Sequence, residues 1–116
     1  MAELLFFEVK SFTKWVKKKR LSKSVADLKA RLTEDPELGD VIPGCSGVRK
    51  LRIGGHGRGK SGGFRVVYVL VVNRRAAVLL EGYSKSEKED LTQDELVVLT
   101  KMIEQLEDQI QQIIGG

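Results

Sequence analysis

Only one cysteine, one histidine, one tryptophan and two prolines occur among the 116 residues. A lone Cys45 excludes an intrachain disulfide and a cysteine zinc cluster, and it fits a reducing compartment. A lone His56 excludes a histidine pair within one chain, whether as the acid and base of a ribonuclease or as two imidazole ligands of a metal. No run of about 18 apolar residues is available to cross a bilayer. The opening Met1-Ala2-Glu3-Leu4-Leu5-Phe6-Phe7-Glu8 is too short and too acidic for a signal peptide. A cytoplasmic protein with no metal, no cofactor and no membrane partner is expected.

Acidic residues are missing from one long stretch. Between Val41 and Leu80 there are eight basic residues, Arg49, Lys50, Arg52, Arg58, Lys60, Arg65, Arg74 and Arg75, and no aspartate or glutamate. The net charge of +4 hides this asymmetry: residues 1–75 carry 17 Lys/Arg against 7 Asp/Glu, and residues 76–116 carry 3 against 9. Surfaces normally intersperse both signs, so a segment of one sign reads as a polyanion-binding face.

What is present suits one globular domain spanning residues 1–116. Apolar residues make up 41% and charged residues 31% of the chain, which is ordinary for a folded soluble protein. Leu4 to Val9 is a short β-prone run. Ser11 can cap a helix with Phe12, Trp15 and Val16 on one face. A second helix is expected from Ser24, with Asp27 in its first turn, Val25, Leu28 and Leu32 on one face, and Pro36 at its end. The two would form a helical hairpin.

Val48 to Ile53 alternates, placing Leu51 and Ile53 on one side of a strand and Lys50 and Arg52 on the other. Phe64 to Val72 is apolar on both faces except at Arg65 and should be a central strand. Asn73-Arg74-Arg75 makes a turn, and Ala76 to Tyr83 returns antiparallel. Thr92-Gln93-Asp94-Glu95 has the form of a capping box and opens a helix to about Ile114. Its Leu96, Leu99, Ile103, Leu106, Ile110 and Ile113 form a stripe suited either to its own sheet or to a partner helix. The expected class is α+β: a small antiparallel sheet with an N-terminal helical hairpin and a C-terminal helix.

Gly54-Gly55-His56-Gly57-Arg58-Gly59-Lys60-Ser61 fits the phosphate-loop pattern letter for letter. The fit is not physical, because such a loop must lead into a helix whose amides hold the phosphates, and here Gly62-Gly63 and a strand follow. A glycine-rich cationic loop between strands can instead bring its backbone close to nucleic-acid phosphates.

Four separated segments carry a family resemblance: Gly39-Asp40-Val41-Ile42-Pro43-Gly44, Gly47-Val48-Arg49-Lys50-Leu51-Arg52, Gly59-Lys60-Ser61-Gly62-Gly63-Phe64-Arg65-Val66-Val67-Tyr68, and Tyr83-Ser84-Lys85-Ser86-Glu87-Lys88-Glu89-Asp90-Leu91-Thr92. Their order resembles the RelE/HigB toxins of bacterial toxin–antitoxin pairs, and is most similar to the HigB branch. The resemblance implies a compact RelE-like sheet that enters the A site of the bacterial ribosome and cuts messenger RNA there, without metal, by attack of a ribose 2′-hydroxyl on the adjacent phosphate. It implies that Arg65, matching the arginine of the family's G-[YF]-R motif, clamps the scissile phosphate. Lys50 and Arg52 match a basic pair that holds RNA or stabilises the transition state. Lys50 as a base would need neighbouring cations to lower its proton affinity.

By the same resemblance Lys85 joins the catalytic set, and Arg49, Arg58, Lys60 and Lys85 contact RNA. Where RelE adds an arginine and a tyrosine, this chain has Ser86 and Thr92. Tyr83 or Tyr68 could supply the stacking or proton-donating group, although both alternate with core residues. The implied partners are the ribosome, messenger RNA and a cognate antitoxin, HigA-like with a helix-turn-helix domain if the branch holds. Two other readings stay open on the same fold: a ParE-like inhibitor of DNA gyrase, and a nucleic-acid-binding module without chemistry.

Overall fold

The computed structural model describes residues 3–54 and 63–115. Along the chain run β1 (Leu5–Glu8), α1 (Lys10–Lys19), α2 (Ser22–Glu34), β2 (Asp40–Val41), β3 (Arg49–Ile53), β4 (Phe64–Val71), β5 (Ala76–Ser84) and α3 (Gln93–Ile114). The strands form one sheet in the order β1-β5-β4-β3-β2. All neighbours are antiparallel except β1 and β5, which are parallel. The α+β class, the helical hairpin and the C-terminal helix are as expected. The parallel edge strand and the two-residue β2 were not.

The central strands β4 and β5 are apolar on both faces, so both faces must be covered. On one face Phe12, Val16, Leu21, Val25, Leu28 and Leu32 of the hairpin pack against Ile53, Val66, Tyr68 and Leu79. On the other, Leu99, Ile103 and Ile110 of α3 pack against Val67, Val69, Val78 and Leu80. The α3 stripe is therefore used by its own sheet, and of its six residues only Ile113 is left exposed. β4 follows directly on Gly63 with no helix, which disposes of the phosphate-loop pattern.

Helix starts depart from the sequence expectation in two places. α1 begins at Lys10 with Val9 as an uncapped N-cap, not at Ser11, because the chain is still tied to the sheet there: the Val9 N–H donates to the Leu79 carbonyl at 3.1 Å. α2 begins at Ser22 behind the buried Leu21, two residues before Ser24, and so has no acid in its first turn. The box at α3 is present as read: Thr92 Oγ1 accepts from the Glu95 N–H at 3.1 Å, and Glu95 Oε1 accepts from the Thr92 N–H at 2.8 Å.

One irregularity positions the candidate site. Tyr68 pairs with Leu79 but Val67 pairs with Glu81, so β5 carries an extra residue, Leu80. Such a bulge shifts the alternation of side chains by one. Before it, Ala76, Val78 and Leu80 face α3; after it Tyr83 does. Gly82 now faces α1, where a Cβ would lie 2.2 Å from the Trp15 ring.

Tyr68 is fully buried on the hairpin side; its hydroxyl donates to the Pro36 carbonyl and accepts from the Gly39 N–H, both at 2.9 Å. It is a structural tie, not a group available to RNA. Tyr68→Phe should cost about 1–3 kcal/mol, because it leaves the buried Gly39 N–H without an acceptor. Urea denaturation checks this, and an unchanged midpoint would contradict it.

Candidate nucleic-acid interface

The alternation of β3 puts Lys50 and Arg52 on the α3 side of the sheet, beside β4. The register then sets Arg52 opposite Arg65, and Arg65 opposite Tyr83, in one row across three strands. In the adjacent row Lys50 lies between Asp40 and Val67. β2 covers only Arg49 and Lys50, so the outer edge of β3 opens beyond that point into a depression of about 420 Å³. Arg31, Lys50, Arg52 and Arg65 line it together with Leu51, Asp40 and Glu89. Four cations and two carboxylates leave it basic.

The segment after β5 supplies an internal anion. Asp90 Oδ1 accepts from Lys50 Nζ at 2.9 Å and from the Tyr83 hydroxyl at 3.5 Å. The hydrogen bond from Lys50 is the main reason the Asp90 carboxyl sits below the usual carboxylate range. Burial first, and then the Asp90 charge, push the Tyr83 phenol up, so it stays protonated at neutral pH. Lys88 Nζ lies 5.2 Å from the centre of the Tyr83 ring, within cation–π range. It also meets Glu95 at 2.6 Å and Glu81 at 3.6 Å. Burial is the largest single influence and works against the Lys88 charge, yet the hydrogen bonds and charges of Glu95 and Glu81 together outweigh it and raise the ammonium above its ordinary value. Glu95 therefore both caps α3 and fixes the cation that lies against Tyr83.

The other residues singled out in the sequence fall into three places. Lys85 is exposed, and its N–H donates to the Gly63 carbonyl at 3.1 Å, beside the start of β4. Arg49 is not brought to the row: it pairs across the sheet with Tyr68, on the hairpin side, and donates to the carbonyls of Glu37 at 3.0 Å and Gly39 at 2.8 Å. Its structural bonds explain why a basic residue adjacent in sequence to Lys50 does not share its surface. Arg58, Lys60 and His56 lie outside the described residues.

Sequence reasoning missed Arg31, Glu89 and Asp90. Arg31 stands in the last turn of α2, where a cation is already favoured by the helix dipole, so nothing local marked it. Among the described residues no three or more His, Cys, Asp or Glu side chains gather as a metal site. The chemistry available at the depression is that of guanidinium forks and an ammonium group, which suit phosphodiester oxygens, while the Tyr83 phenol is buried beside them.

Residues 5–114 match the family described as the RelE toxin of the RelE/RelB toxin–antitoxin system. The fold is similar to that of an arginine double mutant of the E. coli toxin RelE in its free state, with a TM-score of 0.57 and 14% sequence identity, over 77% of this chain and 90% of that one.

Asp90→Asn tests the electrostatics. The Asp90 carboxyl is lowered by folding, so its contribution is present above its unfolded pKa and is lost as pH falls through its lower folded pKa. The wild-type advantage over the variant should be at most about 1 kcal/mol at neutral pH, since exposed pairs are screened and the Asp90 side chain is 60% exposed. It should vanish in acid. The Tyr83 phenol should also titrate at lower pH in the variant, read by tyrosinate absorbance; an unmoved titration would contradict the contact. With the sheet and the match over residues 5–114 in agreement, the chain belongs to the RelE family of toxins.

Proposed function

We propose that this toxin is a ribosome-dependent endoribonuclease, of the HigB branch, that cuts translated messenger RNA in the A site without a metal ion. The observation that carries this reading is the row Arg52, Arg65, Tyr83 flanked by Lys50. Two guanidinium groups and an ammonium group face one depression, and a protonated phenol closes the row.

In this reading the ribose 2′-hydroxyl attacks the adjacent phosphorus in line and the 5′-oxygen leaves, giving a 2′,3′-cyclic phosphate and a 5′-hydroxyl. Charge builds on the non-bridging oxygens, and pre-placed donors are worth most there. Arg65 clamps those oxygens with Arg52 beside it. Lys50 exchanges Asp90 for the incoming RNA and, acting from its neutral amine form, is the candidate to accept the 2′-hydroxyl proton. Tyr83 is buried beside the row and holds Asp90 through its hydroxyl, so it positions the site rather than stacking on a base. Lys85, Arg58 and Lys60 hold flanking phosphates. The partner is an antitoxin of HigA type with a helix-turn-helix domain, and the setting is the cytoplasm.

Primer-extension mapping of messenger RNA from a translation reaction is the test, with free messenger as control. The expected result is cuts in frame that require ribosomes and fall at least a hundredfold with Arg65→Ala, the scale seen when a transition-state donor is removed. Intact messenger beside a wild-type chain that still arrests growth would overturn the reading and point to DNA gyrase.

A further inference from the structure

The depression beside Lys50, Arg52 and Arg65 holds more than a phosphate clamp needs. Arg31 comes to it from the last turn of α2, Asp40 from β2 and Glu89 from the segment after β5. All three are exposed, and among the described residues none of their side chains forms a hydrogen bond or an ion pair. Asp40 is the cross-strand partner of Lys50, so the two side chains leave the sheet on the same face. Lys50 nevertheless turns to Asp90, at 2.9 Å.

Phosphate alone does not account for this lining. A phosphodiester is an anion, so a free carboxylate facing it repels it and offers it no hydrogen-bond donor. Neither Asp40 nor Glu89 offsets that by holding a cation of the site, the part that Asp90 plays for Lys50. α2 packs on the hairpin side of the sheet, so Arg31 meets the depression at the outer edge of β3, apart from the row of Arg52 and Arg65. A free guanidinium fork and free carboxylates in one depression of about 420 Å³ suit a group that presents acceptors and donors side by side.

Single-stranded RNA offers such edges on its unstacked bases. Guanine carries two adjacent acceptors, O6 and N7, which fit an arginine fork, and two adjacent donors, N1–H and N2–H, which fit carboxylate oxygens. Adenine and cytosine have only an amino group to donate, and uracil only its imide N–H. We infer that Arg31, Asp40 and Glu89 form a base-reading subsite that selects guanine beside the scissile phosphate, Arg31 donating to O6 and N7 and the carboxylates accepting from N1–H and N2–H. This rests on the nuclease reading above and adds to it the residues that determine where the messenger is cut.

The test uses the full chain on ribosomes programmed with messengers that differ only in the bases flanking the cut, with cleavage rates read by primer extension. Wild type should cut beside guanine at least about tenfold faster than beside any other base, the discrimination expected of one bidentate contact. 7-Deazaguanine, which lacks the N7 acceptor, and inosine, which lacks the N2 amino group, should each lose several-fold. Arg31→Gln should bring guanine and 7-deazaguanine to the same rate, and Arg31→Lys, which keeps the charge without the fork, should do the same. Asp40→Asn combined with Glu89→Gln should equalise guanine and inosine. Melting of each variant close to wild type confirms that these exposed changes leave the fold intact. A preference of wild type for another base, a loss by Arg31→Gln that is equal at every base, or an unchanged guanine-to-inosine ratio in the carboxylate variant would each overturn the subsite. Wild type that cuts on ribosomes without regard to base removes this inference alone. Wild type that leaves ribosome-bound messenger intact removes the nuclease reading, and the subsite with it.

Discussion

Between the pairs Tyr68↔Leu79 and Val67↔Glu81, β5 holds one residue more than β4, and the placement of Tyr83 beside the cations depends on that extra residue. A regular strand would send the odd-numbered residues of β5 toward the hairpin, as it does Leu79. Tyr83 would then be buried against α1 and Gly82 would face α3. The bulge reverses this in one step. Tyr83 completes the row with Arg65 and Arg52, and the glycine lets the Trp15 ring approach where any Cβ would collide. The cost of an interrupted ladder is offset by packing on both faces.

The site is held by the same device that starts α3. Thr92 and Glu95 cap the helix, Glu95 binds Lys88, and Lys88 lies against the Tyr83 ring. Asp90, two residues before the cap, binds both Lys50 and Tyr83. The segment from Tyr83 to Thr92 thus borders the cationic depression, with Glu89 in its lining and Asp90 bound to Lys50.

Much of this was legible from periodicity alone. The alternation that places Lys50 and Arg52 together, the double-sided apolar run of β4 and the capping box of α3 are local patterns, and each holds because neighbouring residues decide it. The rest depends on distant partners. β2 is two residues long and exists only by pairing with β3. The parallel pairing of β1 is decided by β5. The start of α1 is set by Val9 reaching back to Leu79, so a good capping residue at Ser11 goes unused. Arg49 looked equivalent to Lys50 until its face placed it against the Glu37 and Gly39 carbonyls. Arg31 entered the depression only through the packing of α2, and the facing of Tyr83 could not be read without the bulge.

The central claim is that the row of cations grips a phosphate while its own 2′-hydroxyl attacks it. End-group analysis of the cut messenger tests this most directly. The account predicts a 2′,3′-cyclic phosphate on the upstream fragment and a 5′-hydroxyl on the downstream one. A 3′-hydroxyl with a 5′-phosphate would mean that water attacked the phosphorus and the 3′-oxygen left, and that outcome would contradict it.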